Sequence, residues 1–144
     1  MDIIEAKTFT SIYDEVEDRI RLIINLDNIN RVDLMITRAF IIKIIPLLEE
    51  FYEKHYSDIE TDEVTINSDS SKAESKSSTV VKIKGELLMT INLSYNRNNQ
   101  LTNIELISSK NKIVANFNRE HFNSFIKLLK NSIPKFSWGL GFNF

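Results

Sequence analysis

Apolar and polar positions alternate with a period of two over residues 19–26, where Ile20, Leu22, Ile24 and Leu26 interleave with Arg19, Arg21, Ile23 and Asn25. The alternation resumes at Val32, Leu34 and Ile36, after the turn-forming tetrapeptide Asp27-Asn28-Ile29-Asn30. Successive side chains of a strand point to opposite faces, so the pattern predicts a β-hairpin over residues 19–36. A helix competes for residues 12–26: Ile12, Tyr13, Val16, Ile20 and Ile23 also share a 3.6-residue stripe, supported by Glu15–Arg19 and Glu17–Arg21 spacings. The hairpin is the preferred reading, and a short helix over residues 11–18 fits in front of it.

The period then changes. Ile41, Ile44, Ile45, Leu48, Phe51, Tyr52 and His55 fall on one helical face and Lys43, Glu49, Glu50, Glu53 and Lys54 on the other, with Thr37 placed to cap. This predicts an amphipathic helix over 38–56, kinked at Pro46. Residues 57–78 hold seven serines and six acids among 22 residues and read as a flexible acidic linker or loop within the domain. Strands return within 79–117. Val81, Ile83, Leu87, Met89, Ile91 and Leu93 alternate with polar residues, Gly85 marks a bulge or bend, and Asn96-Arg97-Asn98-Asn99 and Ser109-Lys110-Asn111 mark turns. Asn118 caps a second helix over 119–132, with Phe122, Phe125, Ile126, Leu129 and Ile133 on its stripe and Pro134 at its end. Phe136, Trp138, Leu140, Phe142 and Phe144 alternate with Ser137, Gly139, Gly141 and Asn143, which predicts a C-terminal strand over 136–144.

These elements describe one α+β domain over 1–144: an antiparallel sheet packed by two amphipathic helices. A hairpin followed by a capped helix occurs in each half, which suggests a weak β-β-α internal duplication.

Composition removes several chemistries. With no cysteine, no disulfide, thiolate metal site or cysteine nucleophile can form, and three glycines leave no Gly-rich phosphate loop. His55 and His121 are 66 residues apart without a motif and read as packed or surface residues. The acids from Asp58 fail the calcium-loop pattern, since Glu63 stands where glycine is needed and Asp69 where a bidentate glutamate is needed. Glu74-Ser75-Lys76 lacks the strand setting of a nuclease site, and no Gly-x-Ser-x-Gly elbow occurs. The expectation is a non-enzyme without cofactor or metal. The N-terminus lacks a basic and apolar leader and residues 39–48 are too short to span a bilayer, so the expected location is the cytoplasm, with no membrane partner. Twenty-one isoleucines and 15 asparagines against four alanines point to a low-GC genome, bacterial or phage among the options, and that bias weakens a functional reading of the asparagines.

Charge is unevenly spread. Residues 1–56 carry a net −4, residues 57–78 a net −4 and residues 79–144 a net +6. Two surfaces follow. The C-terminal strand either completes the protein's own sheet, burying Phe136, Trp138 and Phe142, which is the preferred reading, or pairs with another subunit. As an interaction surface, Phe136, Trp138, Phe142 and Phe144, with Arg97 on the rim, would anchor another protein or a second copy, as aromatic hot spots do. Alternatively, Lys82, Lys84, Arg97, Lys110, Lys112 and Arg119 would follow the phosphates of a single-stranded nucleic acid. The order of elements over 79–132, three strands and a closing helix, resembles the COMM domain of adaptor proteins and the strand-rich repeats of PUR-type and Whirly-type single-strand binders. It is a likeness of element order, and no functional residue is carried across. The leading expectation is a small non-catalytic adaptor or assembly subunit that works through protein–protein contacts.

Overall fold

The computed structural model of the chain describes residues 2–26, 30–56, 84–134 and 138. Along the chain run β1 (Asp2–Glu5), β2 (Thr8–Asp14), β3 (Arg19–Asn25), β4 (Arg31–Ile36), α1 (Arg38–Tyr56), β5 (Glu86–Leu87), β6 (Thr90–Asn96), β7 (Leu101–Ile107), β8 (Asn111–Phe117) and α2 (Arg119–Asn131). The fold is α+β, as the patterning implies. The hairpin over 19–36 forms as β3 and β4, with Leu22 opposite Leu34.

Where one antiparallel sheet was expected there are two sheets of four strands, ordered β1-β8-β7-β6 and β2-β3-β4-β5. Each is an antiparallel meander with one short parallel strand added. β1 joins β8 in the second half's sheet, and β5 joins β4 in the first half's sheet. The exchange occurs over two-residue links. Ala6 N–H still donates to Val114 of one sheet while Lys7 N–H donates to Asn25 of the other; Leu88 to Met35 and Met89 to Ile107 repeat the step. Each half is therefore four strands and a helix, and each completes the other's sheet.

Residues 8–14 are strand β2, which replaces the short helix considered for 11–18. Sheet pairing along all seven residues of β3 satisfies more backbone groups than one isolated helical turn could. The alternating run through Leu87 to Leu93 is broken at Leu88-Met89, where the chain changes sheets. Residues 57–78 and the turn at 27–29 lie outside the described residues, as do Val81, Ile83 and most of 136–144. Trp138, the described residue of that last stretch, donates its N–H to Pro134 C=O one helical turn back, at 3.0 Å, and has no strand partner among the described residues.

α1 runs through Pro46 without a break, and Pro46 sits on the exposed side, where water can reach the carbonyl left without a donor. Both helices start on a side-chain cap: Thr37 Oγ1 accepts from Phe40 N–H at 3.2 Å, and Asn118 Oδ1 from His121 N–H at 2.8 Å. Ile20, Leu22, Ile24, Leu34 and Ile36 of one sheet, Ile104, Leu106, Ile113 and Phe117 of the other, and the buried faces of both helices form a single core.

Gly85 shows how tightly the exchanged strand is held. A Cβ there would stand 2.4 Å from Met35 Cγ and 2.7 Å from its Sδ, and Met35 is itself buried. The expected bend at Gly85 is thus a close approach. Gly85→Ala should cost about 1–3 kcal/mol in urea unfolding, as overpacking does. Combined with Met35→Ala it should cost less than the two single losses added, since they share one space. Strict additivity would remove the contact from the explanation.

Candidate functional site

Two strand connections are built alike. In the link from β2 to β3, Asp14 Oδ1 accepts from Val16 and Glu17 N–H at 3.1 and 3.2 Å, and Asp18 N–H returns to Asp14 C=O at 2.8 Å. In the link from β6 to β7, Asn96 Oδ1 accepts from Asn98 N–H at 2.9 Å, and Gln100 N–H returns to Asn96 C=O at 2.8 Å. The closing residues Asp18 and Gln100 both take left-handed backbone, with φ of 57° and 59°. Without glycine this conformation costs roughly 1 kcal/mol or more, so side-chain contacts must hold it.

They do so in related ways. Tyr56, at the end of α1, donates to Gln100 C=O at 3.1 Å and shares a hydrogen bond of 2.7 Å with Thr102 Oγ1. Tyr95 meets Tyr56 edge-on at 5.3 Å and stacks on His55 at 4.3 Å. At the other turn the Asp18 carboxylate accepts from Tyr13 Oη at 2.6 Å, Trp138 Nε1 at 2.7 Å and Arg38 at 2.7 Å. Arg38 also lies over the Trp138 ring, 5.1 Å from its centroid.

Trp138 is therefore buried within its own chain, at 7% exposure, and is not an exposed anchor. Hydrogen bonds from Tyr13 and then Trp138, joined by Arg38, hold the Asp18 carboxyl below its ordinary 3.8 against the opposing effect of burial. A depressed folded pKa means that this stabilisation is complete above about pH 4 and is lost as pH falls through the folded value. Trp138 is the chain's single tryptophan and reports on the contact. Its emission should stay constant on acidification to about pH 4 and then shift red. Asp18→Asn should shift the emission at neutral pH and abolish that acid step. An unchanged acid step in the variant would dismiss Asp18 as its origin.

The outward face of the second sheet is the other candidate. Thr90, Asn92, Ser94 and Asn96 of β6 are exposed, alternating with the half-buried Ile91, Leu93 and Tyr95. Register brings Asn103 beside Asn116, and their side chains hydrogen-bond at 3.1 Å. Glu105 accepts from Asn92 at 3.2 Å and faces Lys112 at 3.8 Å. At the β6–β7 end this face holds a cavity of about 500 Å³ lined by Ser94, Asn96, Arg97, Asn99, Asn103 and Asn116 together with Tyr95 and Leu101. A groove between the helices, about 280 Å³, has Glu49, Glu53, Lys127 and Lys130 on its walls, with Lys130 paired to Glu49 at 2.7 Å. Its balanced charge selects no ligand.

The remaining residues of interest are scattered. Arg97 sits in the β6–β7 turn, and Lys110 in the turn that joins the opposite ends of β7 and β8. Lys112 faces Glu105, Lys84 is exposed ahead of β5, and Arg119 opens α2, its Nε buried without a partner among the described residues. Lys82, Phe136, Phe142 and Phe144 lie outside the described residues. No group of His, Asp and Glu suited to a metal occurs among the described residues, and none of their helices is long and apolar enough to cross a membrane.

Sequence reasoning set the asparagines aside as codon bias. Their spacing, with Asn92 and Asn96 on one face of β6, Asn103 on β7 and Asn116 on β8, was the available signal. The chain matches no protein-family model, no curated protein and no solved structure.

Proposed function

We propose that the protein is a non-catalytic interaction subunit that binds another protein along the edge of its second sheet. The observation that carries this reading is β6. It is seven residues long, contains no proline and no charge, and is hydrogen-bonded on one side only among the described residues. Natural edges are usually shortened, charged or covered. β1 and β5 are short, and β2 lies against α2, with Ser11 hydrogen-bonded to Ser132. An extended segment adding to β6 would gain main-chain hydrogen bonds, with Ile91, Leu93 and Tyr95 beneath and the amide face above.

Less supports the nucleic-acid alternative. The basic residues lie at opposite ends of the sheet, and its outward face has no aromatic ring among its described residues on which bases could stack.

The test is a double variant, Asn92→Lys with Ser94→Lys, which places two guards on the edge at exposed positions. Stability should change by only about 0.5 kcal/mol, as at most surface sites. Protein partners captured by the wild type should be lost. Partners retained at wild-type yield, or tight salt-sensitive binding of labelled single-stranded DNA or RNA, would reject the reading.

A further inference from the structure

The cavity at the β6–β7 end can be read by counting which hydrogen-bonding groups its walls have already used. Asn96 Oδ1 accepts from the backbone N–H of Asn98, and Asn99 Oδ1 accepts from that of Leu101 at 3.1 Å. A backbone N–H can only meet an oxygen, so these contacts orient both amides without ambiguity. Both carbonyl oxygens are engaged, and both NH₂ groups remain as donors. Asn103 and Asn116 pair amide to amide, which leaves one NH₂ and one carbonyl oxygen of that pair for a ligand. Arg97 adds a guanidinium that forms no ion pair among the described residues. Among the described residues no carboxylate lines the cavity, and Glu105 on the same face is held by Asn92 and Lys112. The walls therefore offer mainly donors and one fixed positive charge.

A donor-rich, cationic and carboxylate-free concavity is matched by an anion rich in acceptors. A phosphate group presents several strong acceptor oxygens to a planar guanidinium fork. The cavity's volume lies within the roughly 300–1,000 Å³ of small-molecule sites, larger than one phosphate needs. We propose that this cavity binds a small phosphate monoester of about mononucleotide size, with Arg97, Asn96 and Asn99 taking the phosphate and Ser94 and the Asn103–Asn116 pair taking the remainder.

The electrostatics agree. His55, stacked on Tyr95, is held below its usual 6.5 by burial first, then by the charges of Lys54 and Arg97, two cations close to this end of the sheet. The site adjoins the edge pairing proposed above and shares Ser94 with it, so the cavity is tested by substitutions in the turn, which leave the edge residues Asn92 and Ser94 unchanged.

The experiment is calorimetric and NMR titration of the purified chain with adenosine 5′-monophosphate, adenosine, inorganic phosphate and a short single-stranded oligonucleotide. The expected result is saturable binding of the monophosphate, at least tenfold weaker binding of adenosine, and shifts of the Asn96, Asn99 and Asn116 side-chain amides. Arg97→Ala should weaken binding at least tenfold. Asn99→Asp, which keeps an acceptor for Leu101 N–H and introduces a negative charge, should do the same. Both positions are exposed, and unchanged Trp138 emission would confirm that the variants fold. Equal binding of adenosine and its monophosphate overturns the proposal. So does binding that survives Arg97→Ala, binding of the oligonucleotide alone, or no binding of any probe at millimolar concentration.

Discussion

Phe122→Ala is expected to destabilise the protein by about 3–5 kcal/mol, the range for removing a large buried aromatic. Phe122 is fully buried in the first turn of α2. Its ring lies 5.8 Å from Phe51, 6.1 Å from Tyr52, 6.4 Å from Tyr56 and 6.2 Å from Phe117. It thereby joins α1, α2 and β8, which come from both halves of the chain. Helix packing closes the gap only partly, because Phe51 and Tyr52 are fixed on a neighbouring helix, so a cavity term adds to the lost transfer energy. A fall in melting temperature of roughly 10 °C should accompany the loss. Phe122→Leu, which retains more volume, should lose clearly less. A loss below about 1 kcal/mol for Phe122→Ala would mean that the ring cluster does not hold the halves together.

Arg21→Met should cost a similar amount, about 3–5 kcal/mol, for a different reason. Arg21 lies on the face of β3 that patterning assigns to solvent, yet it is only 3% exposed, with Asp14 and Asp33 at 1%. Its guanidinium reaches Asp33 at 2.6 Å and Asp14 at 3.1 Å, and Arg31 holds Asp33 from the other side at 2.9 Å. Burial pushes the Arg21 pKa down, and the hydrogen bonds to Asp33 and Asp14 more than reverse it. Removing the arginine takes a close charge partner from two carboxylates that stay buried, and that penalty exceeds the lost attraction itself. The triple change Arg21→Met, Asp14→Asn and Asp33→Asn should recover part of the loss, because it removes the buried negative charges together with their partner. Urea unfolding would decide the matter. A single-variant loss of a few tenths of a kcal/mol would show Arg21 to be an ordinary surface residue.

The two cases differ in how far they could be read from the sequence. Phe122 stands on a helical stripe after an Asn cap, so its burial follows from spacing. Arg21 occupies a polar slot in a period-two run. The alternation correctly places it opposite Leu22 and Ile24, but whether that opposite face is wet is not written in the run. The candidate site divides in the same way. Arg97 could be noted as a turn cation, whereas the meeting of Asn103 with Asn116 depends on the register of two strands. The alternating aromatic run places Trp138 on a strand. Its partners, Asp18 and Arg38, stand 120 and 100 residues before it along the chain, beyond the reach of any local pattern.

What the amino-acid order by itself determined is the kind and extent of the longest patterned elements. The hairpin strands β3 and β4, the helices α1 and α2 and their caps at Thr37 and Asn118 all follow from periods of 2 and 3.6, which are properties of local backbone geometry. The tertiary structure alone decided which edges meet. β1 and β5 are four and two residues long, too short to carry a period, and they cross into the opposite half's sheet. Strand pairing runs through N–H and C=O groups that every residue but proline carries alike. No side-chain code names the partner strand. The choice falls to whichever arrangement buries Phe122, Ile20 and Leu106 in one core while leaving the polar face of β6 in water.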